Sequence, residues 1–186
     1  MPFIATGFPG LLVFEPVVHG DARGYFFESY NADTFGKDQV NMVFVQDNQA
    51  RSSYGVVRGL HFQNQPHAQT KLIRALEGAI LDVVVDLRTG SPTRGKVFSI
   101  ELSAANKKQL LVPQGFAHGY SVLTETAEVF YKCDRLWNKA SEGGVAYNDP
   151  ALNIDWQIPA DKMILSPKDT MYPVFADCKH NFVFNS

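Results

Sequence analysis

The chain has 186 residues, 45% hydrophobic and 19% charged, with a formal net charge of -2 and a sequence pI of about 6.2. That length suits one domain with a sizeable core, and the charge balance leaves no electrostatic footprint for nucleic acid or an acidic membrane. Two cysteines, Cys133 and Cys178, make no disulfide framework, so the chain reads as reduced and cytoplasmic.

Met1 to Phe14 carries no Lys or Arg and is broken by Pro2, Gly7, Pro9 and Gly10, unlike a signal peptide. No stretch has the length needed to cross a membrane. Leu11 to Val18 reads as a strand interrupted by Pro16, hence an edge strand or two short pieces. His19 to Gly24 is a turn cluster and Tyr25 to Tyr30 a strand. Asn31 can cap a short helix through Phe35 that Gly36 ends. Met42 to Gln46 reads as a strand and Asp47-Asn48-Gln49 as a polar turn. Val56 to Gln63 is a strand with strict alternation.

Gln65-Pro66-His67 is a loop. Lys71 to Leu76 and Ala79 to Leu87 read as a hairpin about Glu77-Gly78. Lys96 to Leu102 and Lys108 to Val112 follow as strands, with a turn at Ser103 to Asn106. Pro113 to Ala117 is a turn leading into a strand at His118 to Leu123, and Ala127 to Cys133 is another strand. From about residue 138 the chain is irregular. Many short strands joined by Gly, Pro and Asn turns predict an all-β antiparallel sandwich or barrel, read here as one domain over 1–186. The helices that a βαβ nucleotide fold requires are missing.

Alternation puts His61 and Gln63 on one face of their strand and Leu60 and Phe62 on the other. A base held on a strand suits proton transfer; a hydrogen-bonded core histidine is the plain alternative. Lys71 begins the next strand, Tyr131 shares a face with Val129 and Cys133, and His118 follows the Pro113–Gly115 turn. Inward faces of a sandwich or barrel converge, so a His, a Lys and a Tyr can share one cavity. That set suits proton abstraction beside a carbonyl. An imidazole takes the proton, an ammonium steadies the developing oxyanion, and a phenol donates from the opposite side. The ketone is the electron sink, so no cofactor is needed. A metal site competes with this reading. His61, Gln63, His67 and Pro113-x-Gly115-x-x-His118 loosely follow the metal motifs of cupins, but Gln63 is a poor ligand and the Glu position is unfilled.

Several motifs now carry a resemblance: Asp21-x-Arg23-Gly24-x-Phe26-x-Glu28-Ser29, Phe44-Val45-Gln46-Asp47-Asn48, Val57 to Gln63, and Pro66-His67-Ala68-Gln69-x-Lys71-Leu72. Pro113-x-Gly115 to Gly119, Phe130 to Cys133 and Ser166-x-Lys168-Asp169 complete them. From about Gly10 to Asp169 the chain resembles the dTDP-4-dehydrorhamnose 3,5-epimerase family, cofactor-independent cupins of jelly-roll form with few short helices. The resemblance implies epimerisation of a dTDP-4-keto-6-deoxyhexose at C3 and/or C5, with no metal and no cofactor. It implies His61 as general base with Asp169 as its partner, Tyr131 as general acid and Lys71 as enolate stabiliser. It implies His118 in the sugar pocket, Arg23 and Arg58 on the diphosphate, and Phe26, Glu28, Gln46 and Asn48 on the nucleoside. It also implies a homodimer whose N-terminal strands are exchanged, with no nucleic-acid or membrane partner.

One conflict stands out. Strict alternation puts Arg58 and His61 on opposite faces, unless a bulge at Gly59 re-aims one of them or Arg58 reaches round a strand end. The chain also departs from the family. Leu136-Trp137 replaces a tyrosine pair, Gly143 to Tyr147 replaces Arg-Gly-Ile-x-Trp, and the tail from Cys178 is aromatic and unfamiliar. The first change lies near the sugar pocket, which leaves open an epimerase of one centre, C3 or C5.

Overall fold

The computed structural model describes residues 3–37 and 42–184. In chain order its strands are β1 (Phe3–Ala5), β2 (Leu12–Phe14), β3 (His19–Asp21), β4 (Gly24–Phe26), β5 (Gln46–Ser53), β6 (Val57–Gln63) and β7 (Lys71–Glu77). They continue as β8 (Ala79–Asp86), β9 (Val97–Ser103), β10 (Gln109–Val112), β11 (Phe116–Val122), β12 (Thr126–Cys133) and β13 (Glu142–Gly144). One helix, α1 (Ala32–Lys37), and three short 3-10 turns complete the regular structure among the described residues. A six-stranded sheet runs β1-β2-β10-β7-β12-β5 and a five-stranded sheet runs β13-β6-β11-β8-β9, while among the described residues β3 and β4 pair only with each other.

Alternating side chains from the two sheets meet between them. Ile73, Leu110 and Val129 of the first sheet pack with Ile80, Val84, Phe116 and Val122 of the second, as in sheet-on-sheet packing. The outer face of the five-stranded sheet is apolar too. Leu60, Phe62, Leu81, Val83 and Val85 are covered there by Val145, Leu152, Trp156 and Phe182 of the C-terminal segment. This explains the near-continuous apolar run of β8, which is buried on both faces. Phe35 of α1 covers Phe14, Leu72 and Leu111 on the outside of the six-stranded sheet.

The β-sandwich is as the sequence predicts, but six local expectations need correction. β7 and β8 do not form a hairpin. β7 pairs with β10 and β12, whereas β8 pairs with β11 and β9. Gly78 between them is a corner where the chain passes from one sheet to the other. A Cβ there would lie 2.1 Å from the carbonyl oxygen of Thr126.

Asp47-Asn48-Gln49 is no turn but part of β5, and Met42 to Val45 carries no regular structure. Gln46 and Asn48, inward on β5, are polar because they face a cleft. The turn cluster at His19 to Gly24 is itself the β3–β4 hairpin, and the strand expected through Tyr30 stops at Phe26. Asn31 caps α1 as expected, its Oδ1 accepting from the amides of Asp33 (3.0 Å) and Thr34 (3.3 Å), but the helix continues past Gly36. Met1, Pro2, Asn185 and Ser186, the ends of the N-terminal and tail segments, lie outside the described residues.

Candidate active site

The geometry of the site begins with an irregularity in β6. Its register against β11 pairs His61 with His118 and Arg58 with Tyr120, so three steps on one strand match two on the other. The extra residue is a bulge at Gly59. Gly59 has φ +125°, and a Cβ on it would lie 2.5 Å from the Cα of Gly119 and 2.8 Å from the carbonyl oxygen of His118. The bulge brings Arg58 and His61 to the same cavity, while Leu60 and Phe62 stay on the opposite, apolar face.

His61 Nε2 lies 2.5 Å from Oδ1 of Asp169, whose carboxylate is buried. The turn at Ser166 holds that carboxylate. The Asp169 amide donates to the Ser166 carbonyl (3.0 Å) and hydroxyl (3.3 Å). Burial pushes the Asp169 carboxyl up, but hydrogen bonding and charge from His61, the Ser166 hydroxyl and the Gly59 amide together hold it below its ordinary value. An ionised Asp169 accepts from Nε2–H, which assigns the lone pair to Nδ1. His61 makes no second side-chain hydrogen bond among the described residues.

Lys71 opens β7 directly across from Cys133 of β12, with its Nζ 5.7 Å from the centroid of the Tyr131 ring. Burial pushes the Lys71 ammonium down, with Cys133, Asp82 and Glu142 opposing. Tyr131 points inward with Val129 and Cys133. Burial first, then Cys133 and Tyr120, push its phenol up to about 12 against the pull of Arg58, so it stays protonated at neutral pH.

Neighbouring contacts fix the surroundings. His118 Nε2 is bound to buried Asp82, 2.9 Å from Oδ2. Arg58 donates to the Ser52 hydroxyl from Nε (3.2 Å) and Nη2 (3.1 Å). The Gln46 amide donates to Asn48 (3.1 Å), and Gln46 Oε1 accepts from the Trp137 backbone (2.9 Å).

His61, Lys71, Tyr131, Asp169, Arg58 and His118 all line one cavity of about 450 Å³. Gln46 and Asn48 line an adjoining space of about 490 Å³, walled by Trp137 and sharing His61, Lys71 and Tyr131 with the first. Arg23, Phe26 and Glu28 are not brought there. The Arg23 side chain is 89% exposed and paired with Asp21, and Phe26 is 67% exposed. Phe26 and Glu28 line a separate cavity of about 560 Å³ with Phe14, Val17 and Phe35.

Gln63 of the competing metal motif is otherwise engaged. The Gln63 amide donates to the His67 carbonyl (2.7 Å), and its Oε1 accepts from the Asn138 amide (2.6 Å). Among the described residues no three His, Cys, Asp or Glu side chains are grouped to hold a metal ion.

Three site residues escape the sequence reading. Tyr120 lies in β11, which is buried throughout and so offers no alternation to reveal which way it faces. Glu142 accepts from Trp137 Nε1 (2.9 Å) and Lys168 Nζ (2.7 Å), and Tyr172 meets the His61 ring. Both belong to the aperiodic C-terminal third, where no spacing signals a face. The replaced segment at Gly143 proves to be β13, which pairs with β6 so that Gly144 lies opposite His61.

A protein-family model described as dTDP-4-dehydrorhamnose 3,5-epimerase matches residues 5–177. The Pseudomonas aeruginosa dTDP-4-dehydrorhamnose 3,5-epimerase is 50% identical over 170 residues, covering 91% of this chain and 93% of its own length. The crystal structure of the Elizabethkingia anophelis enzyme of that name matches with a TM-score of 0.90 and 52% identity, over 94% of this chain and 96% of that one. The Legionella pneumophila dTDP-6-deoxy-D-glucose-3,5-epimerase, in complex with dTDP-4-keto-L-rhamnose, matches with a TM-score of 0.90 and 42% identity, over 94% and 93% of the two chains. With its inward histidine, lysine and tyrosine on a β-sandwich and these matches along nearly its whole length, the chain belongs to the dTDP-4-dehydrorhamnose 3,5-epimerase family and is an isomerase of that type.

Proposed function

We propose that His61 is the general base and Tyr131 the general acid of the reaction this chain carries out, epimerisation of a dTDP-4-keto-6-deoxyhexose at C3 and C5 in dTDP-L-rhamnose biosynthesis. The C4 ketone acidifies the protons on its two neighbouring carbons. Nδ1 of His61 takes one of them, and the C–H electron pair moves into the ring to make an enolate with its charge on O4. The Lys71 ammonium stabilises that oxygen. Tyr131 returns a proton to the opposite face, the C–O double bond re-forms, and the centre is inverted. The enzyme is left with an imidazolium and a phenolate, which exchange protons with solvent before the next event. Asp169 supports the base by fixing its tautomer and stabilising the imidazolium.

The observation that carries this reading is the sharing of His61, Lys71 and Tyr131 by two adjoining cavities. A ring between them has the imidazole and the phenol within reach and the ammonium beside its ketone. Arg58 suits the diphosphate through its guanidinium fork, His118 the sugar, and Gln46 and Asn48 the nucleoside. Incubation with dTDP-4-keto-6-deoxyglucose in heavy water tests the activity. NMR should show deuterium at C3 and C5 of an inverted sugar, and a sugar that gains no deuterium contradicts it.

The remaining recognition residues support a homodimer. Arg23, Phe26 and Glu28 serve no pocket with His61 in their own chain, and the β3–β4 hairpin presents Tyr25 and Phe26 to the outside. In a homodimer this hairpin completes the site of the second copy. Mixing His61→Ala subunits with Phe26→Ala subunits then restores activity, because each mixed dimer has one unaltered site. Failure to complement, with mixed dimers present, contradicts the exchange.

A further inference from the structure

We infer that Tyr172 is a positioning residue for His61, its ring seated on Gly144 and set against the imidazole; this rests on His61 being the base. In a sheet, the side chain directly across from a residue is its closest lateral support. On the β11 side of His61 that position is His118; on the β13 side it is Gly144, which has no side chain. The vacancy is filled by a third element. A Cβ on Gly144 would lie 2.6 Å from Cδ1, Cδ2 and Cε1 of Tyr172, so the tyrosine ring lies over the glycine Cα. The ring centroid is 5.6 Å from that of His61 at an interplanar angle of 65°, an edge-on contact.

The segment that brings Tyr172 is the one that brings Asp169, only three residues earlier. It is tied down just beyond, where the Ala146 amide donates to the Pro173 carbonyl (2.8 Å). Val145 and Leu60 then exchange backbone hydrogen bonds beside the bulge. Lys168 backs the arrangement, with Nζ 5.9 Å from the centroid of the Tyr172 ring and 2.7 Å from Glu142 Oε2.

The two supports constrain different motions. The bond to Asp169 fixes one edge of the imidazole but lets the ring tilt about that bond. The Tyr172 ring blocks the tilt, which would swing Nδ1 away from the substrate carbon. The aromatic ring does this work, and its hydroxyl is not needed.

The test uses the full-length enzyme and dTDP-4-keto-6-deoxyglucose. Tyr172→Ala should lower kcat on the order of ten- to hundredfold and leave KM within about twofold, whereas Tyr172→Phe should keep both. The His61 ring C–H signals in NMR should move in Tyr172→Ala and stay in Tyr172→Phe, because the ring current goes with the ring. Gly144→Ala, which drives the ring off its seat, should lower kcat alike and add nothing in a Tyr172→Ala background. Should Tyr172→Ala not fold, Tyr172→Ser, equally without the ring and its bulk, is read the same way. Unchanged kcat in Tyr172→Ala overturns the inference, as does a loss in Tyr172→Phe equal to that in Tyr172→Ala. His61→Ala run alongside separates the two readings. Retained deuterium exchange there removes His61 as base, whereas exchange lost there but untouched in Tyr172→Ala removes only the positioning role.

Discussion

Substituting alanine for Gly59 tests how the bulge aims the site. The backbone at Gly59 has φ +125°, a region nearly closed to L side chains, and the added methyl would lie 2.5 Å from the Cα of Gly119 and 2.8 Å from the His118 carbonyl oxygen. The backbone conformation costs about 1–3 kcal/mol. The collision involves backbone atoms of a central strand, which cannot move aside cheaply, and adds about 1–3 kcal/mol. Together these are about 2–6 kcal/mol. For a chain of this size each kcal/mol lowers the Tm by about 2–4 °C, so a fall of at least about 4 °C is expected.

Gly119→Ala separates the two contributions. Its methyl would lie 2.6 Å from the Arg58 carbonyl oxygen, with no left-handed φ to maintain. It should therefore show the packing cost alone, about 1–3 kcal/mol. Function should suffer beyond stability in Gly59→Ala, since Arg58 and His61 flank the bulge. A displacement of about 1 Å there costs on the order of a hundredfold in kcat. Calorimetry and steady-state kinetics at a temperature where both variants are folded provide the measurement. A Gly59→Ala protein that melts within about 1 °C of the parent and keeps its kcat would refute the reasoning.

Three further outcomes are expected. Asp169→Asn keeps a hydrogen-bonding group on His61 Nε2 but removes the charge and allows the wrong tautomer. kcat should fall by at least about a hundredfold at unchanged KM, and a fall under about threefold would contradict the pairing. Because burial lowers the Lys71 ammonium while the Tyr131 phenol is pushed up to about 12, the loss of activity on raising the pH should follow Lys71. It should begin below the ordinary lysine value and move up in Lys71→Arg, and an unmoved alkaline limb speaks against this. Asp86 is fully buried with Arg88 at 2.7 Å, Ser91 at 2.6 Å and Thr93 at 2.7 Å. Asp86→Asn should therefore cost about 3–5 kcal/mol by leaving the guanidinium unpaired. Burial raises that carboxyl, but its partners outweigh burial and lower it overall. Its contribution is thus present above the ordinary carboxylate value and lost as pH falls through the lower folded value. The Tm gap to the parent should hold at neutral pH and close only in strong acid.

Residues 60 to 63 show why part of the site can be read without coordinates. Two apolar side chains alternating with His61 and Gln63 admit one arrangement on a half-buried strand, and the same logic turns Tyr131 inward with Cys133. The Gly59 bulge is legible as one of two ways out of a conflict, Arg58 against His61, and the register of β6 decides for it. Gly78 shows the limit. Apolar segments on either side of a glycine look alike whether the chain folds back on itself or crosses to another sheet, and contacts with Thr126, far along the chain, decide it. Asp47 to Gln49 reads as a turn because polarity signals exposure, but the three alternate on a strand: Asp47 and Gln49 are exposed, and Asn48 turns in to a cleft. Tyr172 is invisible for a third reason. It reaches His61 only because Gly144 leaves room, a relation between two irregular segments with no period to betray it.

The central claim, a ketone held between an imidazole and a phenol, is tested most directly by following hydrogen exchange and inversion separately. In heavy water with dTDP-4-keto-6-deoxyglucose, His61→Ala should take up no deuterium at C3 or C5. Tyr131→Phe should exchange those positions and yet fail to invert them. Wash-in that survives the loss of the imidazole, or inversion at the parent rate without the phenol, would contradict the account.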